Sequence, residues 1–145
     1  METRAAAQRW ADTWARAWPA GDVEAIAALQ AEDGDHWASM FRRHAGRDGL
    51  RDYVRECFGE ETSPAEVWFA KPQVDGDRAA VEYWAVTYPQ GHQLTITGCT
   101  VLRFDDAGLV AEARDYSHVT PERVLPPAGL FGPRVGTGSG AAVSS

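Results

Sequence analysis

Trp10, Trp14 and Trp18 recur at every fourth position, with Ala7 and Ala11 beside them. That spacing predicts a helix over about residues 3–18 with one strongly apolar face. Pro19 and Gly21 follow as stop signals. Asp22 is placed to cap a second helix whose Val23, Ile26 and Leu29 form an apolar stripe, closed by the acid-rich "AEDGD". "HWASMF" reads as a short strand. "GRDGLRDYVRECF" reads as a third helix, with Asp48 as its cap and Leu50, Val54, Cys57 and Phe58 on the buried side.

The second half changes period. "AEVWFAKPQV", "DRAAVEYWAVTY", "HQLTITGCTVLRF" and "LVAEARDYSHV" are rich in Val, Thr, Trp and Tyr, and the turn formers "DGD", "PQGH" and "DDAG" separate them. The simplest connection is four successive antiparallel strands. Helices followed by a strand meander predict an α+β domain over residues 1–125, with the helices on one face of the sheet. Trp84 alternates with Glu82, Val86 and Tyr88 onto the opposite face, an aromatic surface suited to a second copy of the chain. Residues 126–145 are rich in Pro, Gly and Ser and predict a mobile tail, with Leu130 and Phe131 as local docking points.

The last strand poses the chemical question. Alternation places Leu109, Ala111, Ala113, Asp115 and Ser117 on one face and Val110, Glu112, Arg114, Tyr116 and His118 on the other. A single carboxylate thus sits on the small, apolar side, where burial is costly. Either it serves a pocket, or it ends the strand in an ion pair with Arg114 or Arg123. In a pocket, desolvation raises its pKa toward the range where a carboxyl both takes and gives protons. Two further residues are candidates to converge on it. Tyr83 shares a strand face with Ala79, Val81, Ala85 and Thr87, and His36 follows the turn "EDGD". A His–Asp pair would hold the imidazole charged, and a Tyr hydroxyl would donate to an oxygen developing negative charge. The plain alternatives are a structural histidine beside Trp37 and a space-filling tyrosine.

Charge and cysteine content narrow the classes. With 21 acidic against 14 basic residues and a formal net charge of −7, the chain lacks the clustered cations that tracking a nucleic-acid backbone requires. Its densest basic group, "FRRHAGR", reads as a solvated loop or helix edge. No signal peptide or membrane-length apolar run is present, so a cytoplasmic protein without membrane contact is expected. Cys57 and Cys99 are expected as free thiols. The four histidines match no metal-ligand spacing, and neither a metal nor another cofactor is called for.

The segments "GDVEAIAALQAEDG", "GRDGLRDYV", "GDRAAVEYW" and "GCTVLRFDDAGLVAEARDY", in this order across roughly residues 8–120, resemble the SnoaL-like branch of the nuclear transport factor 2-like superfamily. The resemblance implies a cone, a strongly curved antiparallel sheet wrapped around N-terminal helices, with an internal pocket and commonly a homodimer through the outer sheet face. It also implies relatives among polyketide cyclases, ketosteroid isomerases, dehydratases, epoxide hydrolases and non-catalytic binding modules. The Arg-Asp-Tyr of the epoxide hydrolases' last strand matches Arg114, Asp115 and Tyr116. Those enzymes' middle-strand Arg and Asp fall at Tyr83 and Ala85, and their first-strand Tyr and Asn at His36 and Ala38. The constellation is therefore incomplete.

The expected site comprises Asp115, His36 and Tyr83 as catalytic groups. Its expected walls are Trp14, Ala38, Tyr53, Cys57, Ala85, Leu94, Ile96, Thr100, Ala113 and Ser117. One expectation is cofactor-independent acid–base catalysis (isomerisation, cyclisation, dehydration or epoxide opening) on an apolar oxygenated metabolite. The other is a small-molecule-binding or dimerisation module without chemistry. Fold alone does not choose between them.

Overall fold

The structure is a computed structural model that describes residues 1–132. Helix α1 spans Thr3–Ala20 and buries Ala6, Ala7, Trp10, Ala11, Ala15 and Ala17. The small alanines let the helix lie close to the sheet, while the tryptophans meet along it, Trp10 tilted on Trp14 at 6.0 Å and Trp14 edge-on to Trp18 at 5.6 Å between ring centroids. Pro19 stays inside the last turn, so the helix ends later than expected. Gly21 stops it in the left-handed conformation at φ 69°, its N–H reaching back toward Ala17 and Trp18.

Asp22 caps α2 as expected, its carboxylate accepting from the Ala25 N–H at 3.1 Å. Helix α2 is only Val23–Ala27, however, and "AEDGD" does not close it. Those residues instead belong to β1, Gln30–Ser39. A short strand β2, Arg42–Ala45, then forms where a solvated loop or helix edge was expected. The reason is pairing at long range. β1 runs antiparallel to β2 and parallel to β7 (Val110–Thr120), with His36 opposite both His44 and Ala113. Local acid content carries no trace of those partners.

Helix α3 spans Gly46–Glu60 and buries Leu50 and Val54, leaving Cys57 and Phe58 half-buried. Asp48 lies in its first turn; Ala45 occupies the cap position, without a side-chain cap. The remaining strands are β3 Glu66–Phe69, β4 Gln73–Asp75, β5 Arg78–Thr87 and β6 Leu94–Phe104. The sheet order is β2-β1-β7-β6-β5-β3, with β4 paired to β5. The sheet is curled but open, and it is mixed rather than wholly antiparallel, because the long connection from β1 returns to it through β7. Helix α1 packs on β3 and β5, and α3 packs on β1 and β2.

Along β7 the alternation read from the sequence holds from Ala113 onward and fails before it. Phe104 pairs with Val110 and Arg103 with Glu112, so Ala111 is an extra residue in the strand. This bulge turns Val110 inward, to 2% exposure, instead of outward. Asp115 keeps the inward face.

The outer face around Trp84 carries the chain's own C-terminal segment. The Trp84 indole N–H donates to the Val124 carbonyl at 2.8 Å, and Arg123 binds Glu66 through two N–H groups at 3.0 and 2.9 Å. Phe131 meets Trp84 edge-on at 6.3 Å. A second copy pairing here would meet that segment first. Of the tail expected over 126–145, residues 133–145 lie outside the described residues.

Gly98 on β6 faces both Tyr83 and Ser117 across its two neighbours. A Cβ there would come within 2.4 Å of the Tyr116 carbonyl and 2.9 Å of the Ser117 Cβ. The close approach of β6 and β7 beside Asp115 therefore depends on its missing side chain. Gly98→Ala is expected to destabilise the fold by roughly 1–3 kcal/mol, as overpacking does, measured by urea denaturation.

Candidate functional site

Asp115 projects from β7 into a cavity of about 290 Å³ between the sheet, α1 and α3. Its neighbours across the sheet supply its partners. Thr100 lies directly opposite on β6, and its hydroxyl donates to the carboxylate at 3.3 Å. Tyr83, one strand further on β5, donates its hydroxyl from 2.9 Å to either carboxylate oxygen. Neither Arg114 nor Arg123 pairs with Asp115: Arg114 goes to Glu112 and Arg123 to Glu66. The ion-pair alternative for this carboxylate is thereby set aside.

Burial dominates the electrostatics and raises the Asp115 pKa to about 6, against the Tyr83 and Thr100 hydrogen bonds and the Arg42 charge, all of which favour the ionised form. Burial also pushes Tyr83 up, reinforced by the charge of Asp115 and the hydrogen bond to it, so the phenol remains protonated.

His36 is buried on β1 at 8% exposure, and burial, with His44 and Arg42 nearby, lowers its pKa to about 4. No hydrogen bond joins it to Asp115. The expected His–Asp pair is therefore absent, and His36 stands as a neutral imidazole at neutral pH. Its ring instead belongs to a stack: Tyr53 lies 5.5 Å away, and His44 lies 4.3 Å from Tyr53.

Of the residues expected in the wall, Trp14, Ala38, Tyr53, Cys57, Leu94, Ile96, Thr100 and Ser117 line the cavity, together with His36, Tyr83 and Asp115. Ala85 and Ala113 do not. They face inward but are covered, at 0% and 2% exposure, within the cluster formed with α1 and the neighbouring strands. The apolar wall includes Trp10, Trp18, Phe58 and Phe69, which sequence reasoning assigned to the core or left unassigned. Helical spacing from Trp14 would have found the first two.

Arg42, Glu60, Glu61 and Thr87 also line the cavity and were missed as site residues. Arg42 was hidden in a basic run that reads as solvated. Glu61 follows α3, accepts from the Tyr88 N–H at 2.7 Å, and is raised in pKa by burial. No local pattern marked it. Both cysteines are free thiols, and burial raises the Cys57 thiol.

The α+β fold, with its helices packed on a curled sheet, is ketosteroid isomerase-like. The chain belongs to the SnoaL-like domain family, whose profile matches residues 7–113. Among curated proteins no relative matches. Two solved structures are similar at a TM-score of 0.63 each. One is a hypothetical protein with a ketosteroid isomerase-like fold from Catenulispora acidiphila DSM 44928, in complex with trimethylamine, 20% identical over 72% of this chain and 81% of that one. The other is the epoxide hydrolase/cyclase-like enzyme SalBIII, described for pyran ring formation in the polyether salinomycin, 19% identical over 73% of this chain and 88% of that one. These likenesses establish the fold. Among the described residues no helix is long and apolar enough to cross a membrane.

The raised pKa of Asp115 has a consequence for stability. Its folded value of about 6 lies above the ordinary 3.8, so the folded state binds its proton more tightly than the unfolded chain does. The penalty for burying the ionised form is absent below pH 4 and complete above about pH 7. Asp115→Asn is therefore expected to stabilise the fold by up to about 3 kcal/mol at pH 8, with little change at pH 4, as thermal melts at the two pH values would show.

Proposed function

We propose that the protein is a cofactor-independent acid–base catalyst acting on an apolar, oxygenated ring compound, with Asp115 as the group that takes and returns the proton. One observation carries this reading: a carboxyl with its pKa raised to about 6, held by two hydroxyl donors inside a cavity walled by Trp10, Trp14, Trp18, Phe58 and Phe69. A base of that pKa is mostly ionised at neutral pH, yet its conjugate acid still returns a proton readily. The aromatic wall suits a flat or cyclic ligand and excludes water from the ionised state.

The other groups take roles that follow from their hydrogen bonds. Tyr83 and Thr100 are engaged with Asp115, so they orient the carboxylate and are not free donors to the ligand. His36, neutral, is able to donate or accept one hydrogen bond at the cavity wall. Proton abstraction beside a carbonyl, followed by return at the far end of a conjugated carbon–carbon double bond, gives isomerisation. The same proton transfers also serve ring closure or dehydration, and the SnoaL-like membership and the cyclase-like neighbour are consistent with that range.

A second reading is a binding module without chemistry. It is favoured by Ala85, which stands where an epoxide hydrolase-like arrangement places a second carboxylate. Here Asp115 would fix ligand orientation only.

Deuterium exchange next to the carbonyl of 2-tetralone, followed by NMR in D2O, separates the two. Acid–base catalysis predicts exchange faster than the buffer rate, rising through a midpoint near pH 6 and falling by about 10²–10⁴ in Asp115→Asn. Bound tetralone that exchanges no faster than in Asp115→Asn would support the binding module.

A further inference from the structure

The acid–base reading leaves open what receives the negative charge that a proton abstraction creates on the ligand. Tyr83 and Thr100 are committed to Asp115. Tyr53 is hydrogen-bonded to Cys57. His36 carries no charge at neutral pH.

Arg42 differs from all of these. It opens β2 at the cavity wall and is the one Lys or Arg among the residues that line the cavity. Its neighbour Arg43 turns the other way and binds Asp35 through Nε at 3.0 Å and Nη2 at 2.7 Å. Arg42 makes no ion pair and no hydrogen bond among the described residues. Its guanidinium carbon instead lies 5.9 Å from the centre of the Tyr53 ring, an arrangement that holds the cation while leaving its N–H groups unspent. Its charge is felt at Asp115, His36, His44 and Tyr53 alike, which places it within electrostatic reach of the whole cluster.

We propose that Arg42 contacts the substrate oxygen on which negative charge develops, and that the substrate is accordingly an apolar ring compound whose carbonyl oxygen lies toward β2. The inference rests on the acid–base reading of Asp115. In the step itself, the C–H bond next to the carbonyl breaks and its proton forms an O–H bond on Asp115. The electron pair moves onto the carbonyl oxygen, giving an enolate that Arg42 holds. Where a carbon–carbon double bond of the substrate is conjugated with the enolate, return of the proton to the far carbon of that bond, with the double bond shifting toward the carbonyl, restores every atom and electron to an isomeric product.

The cavity wall also carries Glu60 and Glu61; the step itself moves one negative charge from Asp115 to the enolate oxygen, beside the single guanidinium of the lining, without changing the total. Arg42 is exposed at the rim of the cavity, so water screens part of its attraction for the enolate, and its contribution comes from being fixed in place before the charge develops. Guanidinium suits the role because it stays ionised at every working pH and offers its donors in a planar fork.

The test uses two planar probes in isothermal titration calorimetry at pH 7.5. 2-Naphthoate carries a carboxylate in place of the enolate oxygen, and 2-naphthamide is its neutral counterpart. Asp115→Asn stands for the enzyme after the proton has moved. In that variant, 2-naphthoate is expected to bind at least tenfold tighter than 2-naphthamide. Adding Arg42→Gln should abolish the preference, and continued binding of the amide to that variant shows that the cavity is intact.

Equal binding of the two probes to Asp115→Asn, or a preference that survives Arg42→Gln, overturns the role of Arg42 and leaves the acid–base reading in place. Failure of both probes to bind either the native protein or any variant overturns both.

Discussion

The site depends on a carboxylate kept away from water without a cationic partner bonded to it. Burial raises the free energy of ionised Asp115, and the Tyr83 and Thr100 hydroxyls return part of that cost. The balance leaves a group that titrates near neutrality. An ion pair of hydrogen-bonding quality would have pulled the pKa down and fixed the charge. A fully apolar shell would have kept the acid protonated. Two neutral donors, with a guanidinium felt at Asp115 but not bonded to it, produce the intermediate case.

The curled sheet creates that environment. Asp115, Thr100 and Tyr83 come from three adjacent strands, β7, β6 and β5, and register alone brings them together. Gly98 permits the close approach of two of those strands, and the Ala111 bulge re-aims the first turn of β7 so that Val110 joins the core while Asp115 still faces the cavity. The alanine stripe of α1 then lets three tryptophans lie over the open side. Packing, register and electrostatics thus converge on one carboxyl.

How much of this was legible in the sequence follows from the range of the interactions. Period-two alternation found Asp115 and Tyr83 on inward faces, and period-four spacing found the tryptophan helix, because both patterns are local. The parallel pairing of β1 with β7 was not legible, since it joins residues 77 to 80 positions apart and nothing near "AEDGD" announces a partner. The pairing of His36 with Asp115 failed for a related reason: sharing a pocket does not fix a distance, and β1 aligns His36 with Ala113 instead. Arg42 is exposed like Arg43, and only the β1–β2 hairpin, which sends Arg43 to Asp35, sets it at the cavity wall. Ala85 and Ala113 were correctly assigned to the inner face, but the helices cover them, and facing inward is not the same as reaching the cavity.

The central claim is that Asp115 is a desolvated acid held near neutrality by two hydroxyl donors, and its own titration tests this most directly. Carboxyl-carbon NMR of the native protein, with Asp115→Asn to assign the signal, should give a pKa of about 6. Tyr83→Phe should move it higher, because a donor to the ionised form has been removed. A native value near the ordinary 3.8, unchanged in Tyr83→Phe, would show a solvated carboxylate and contradict the account.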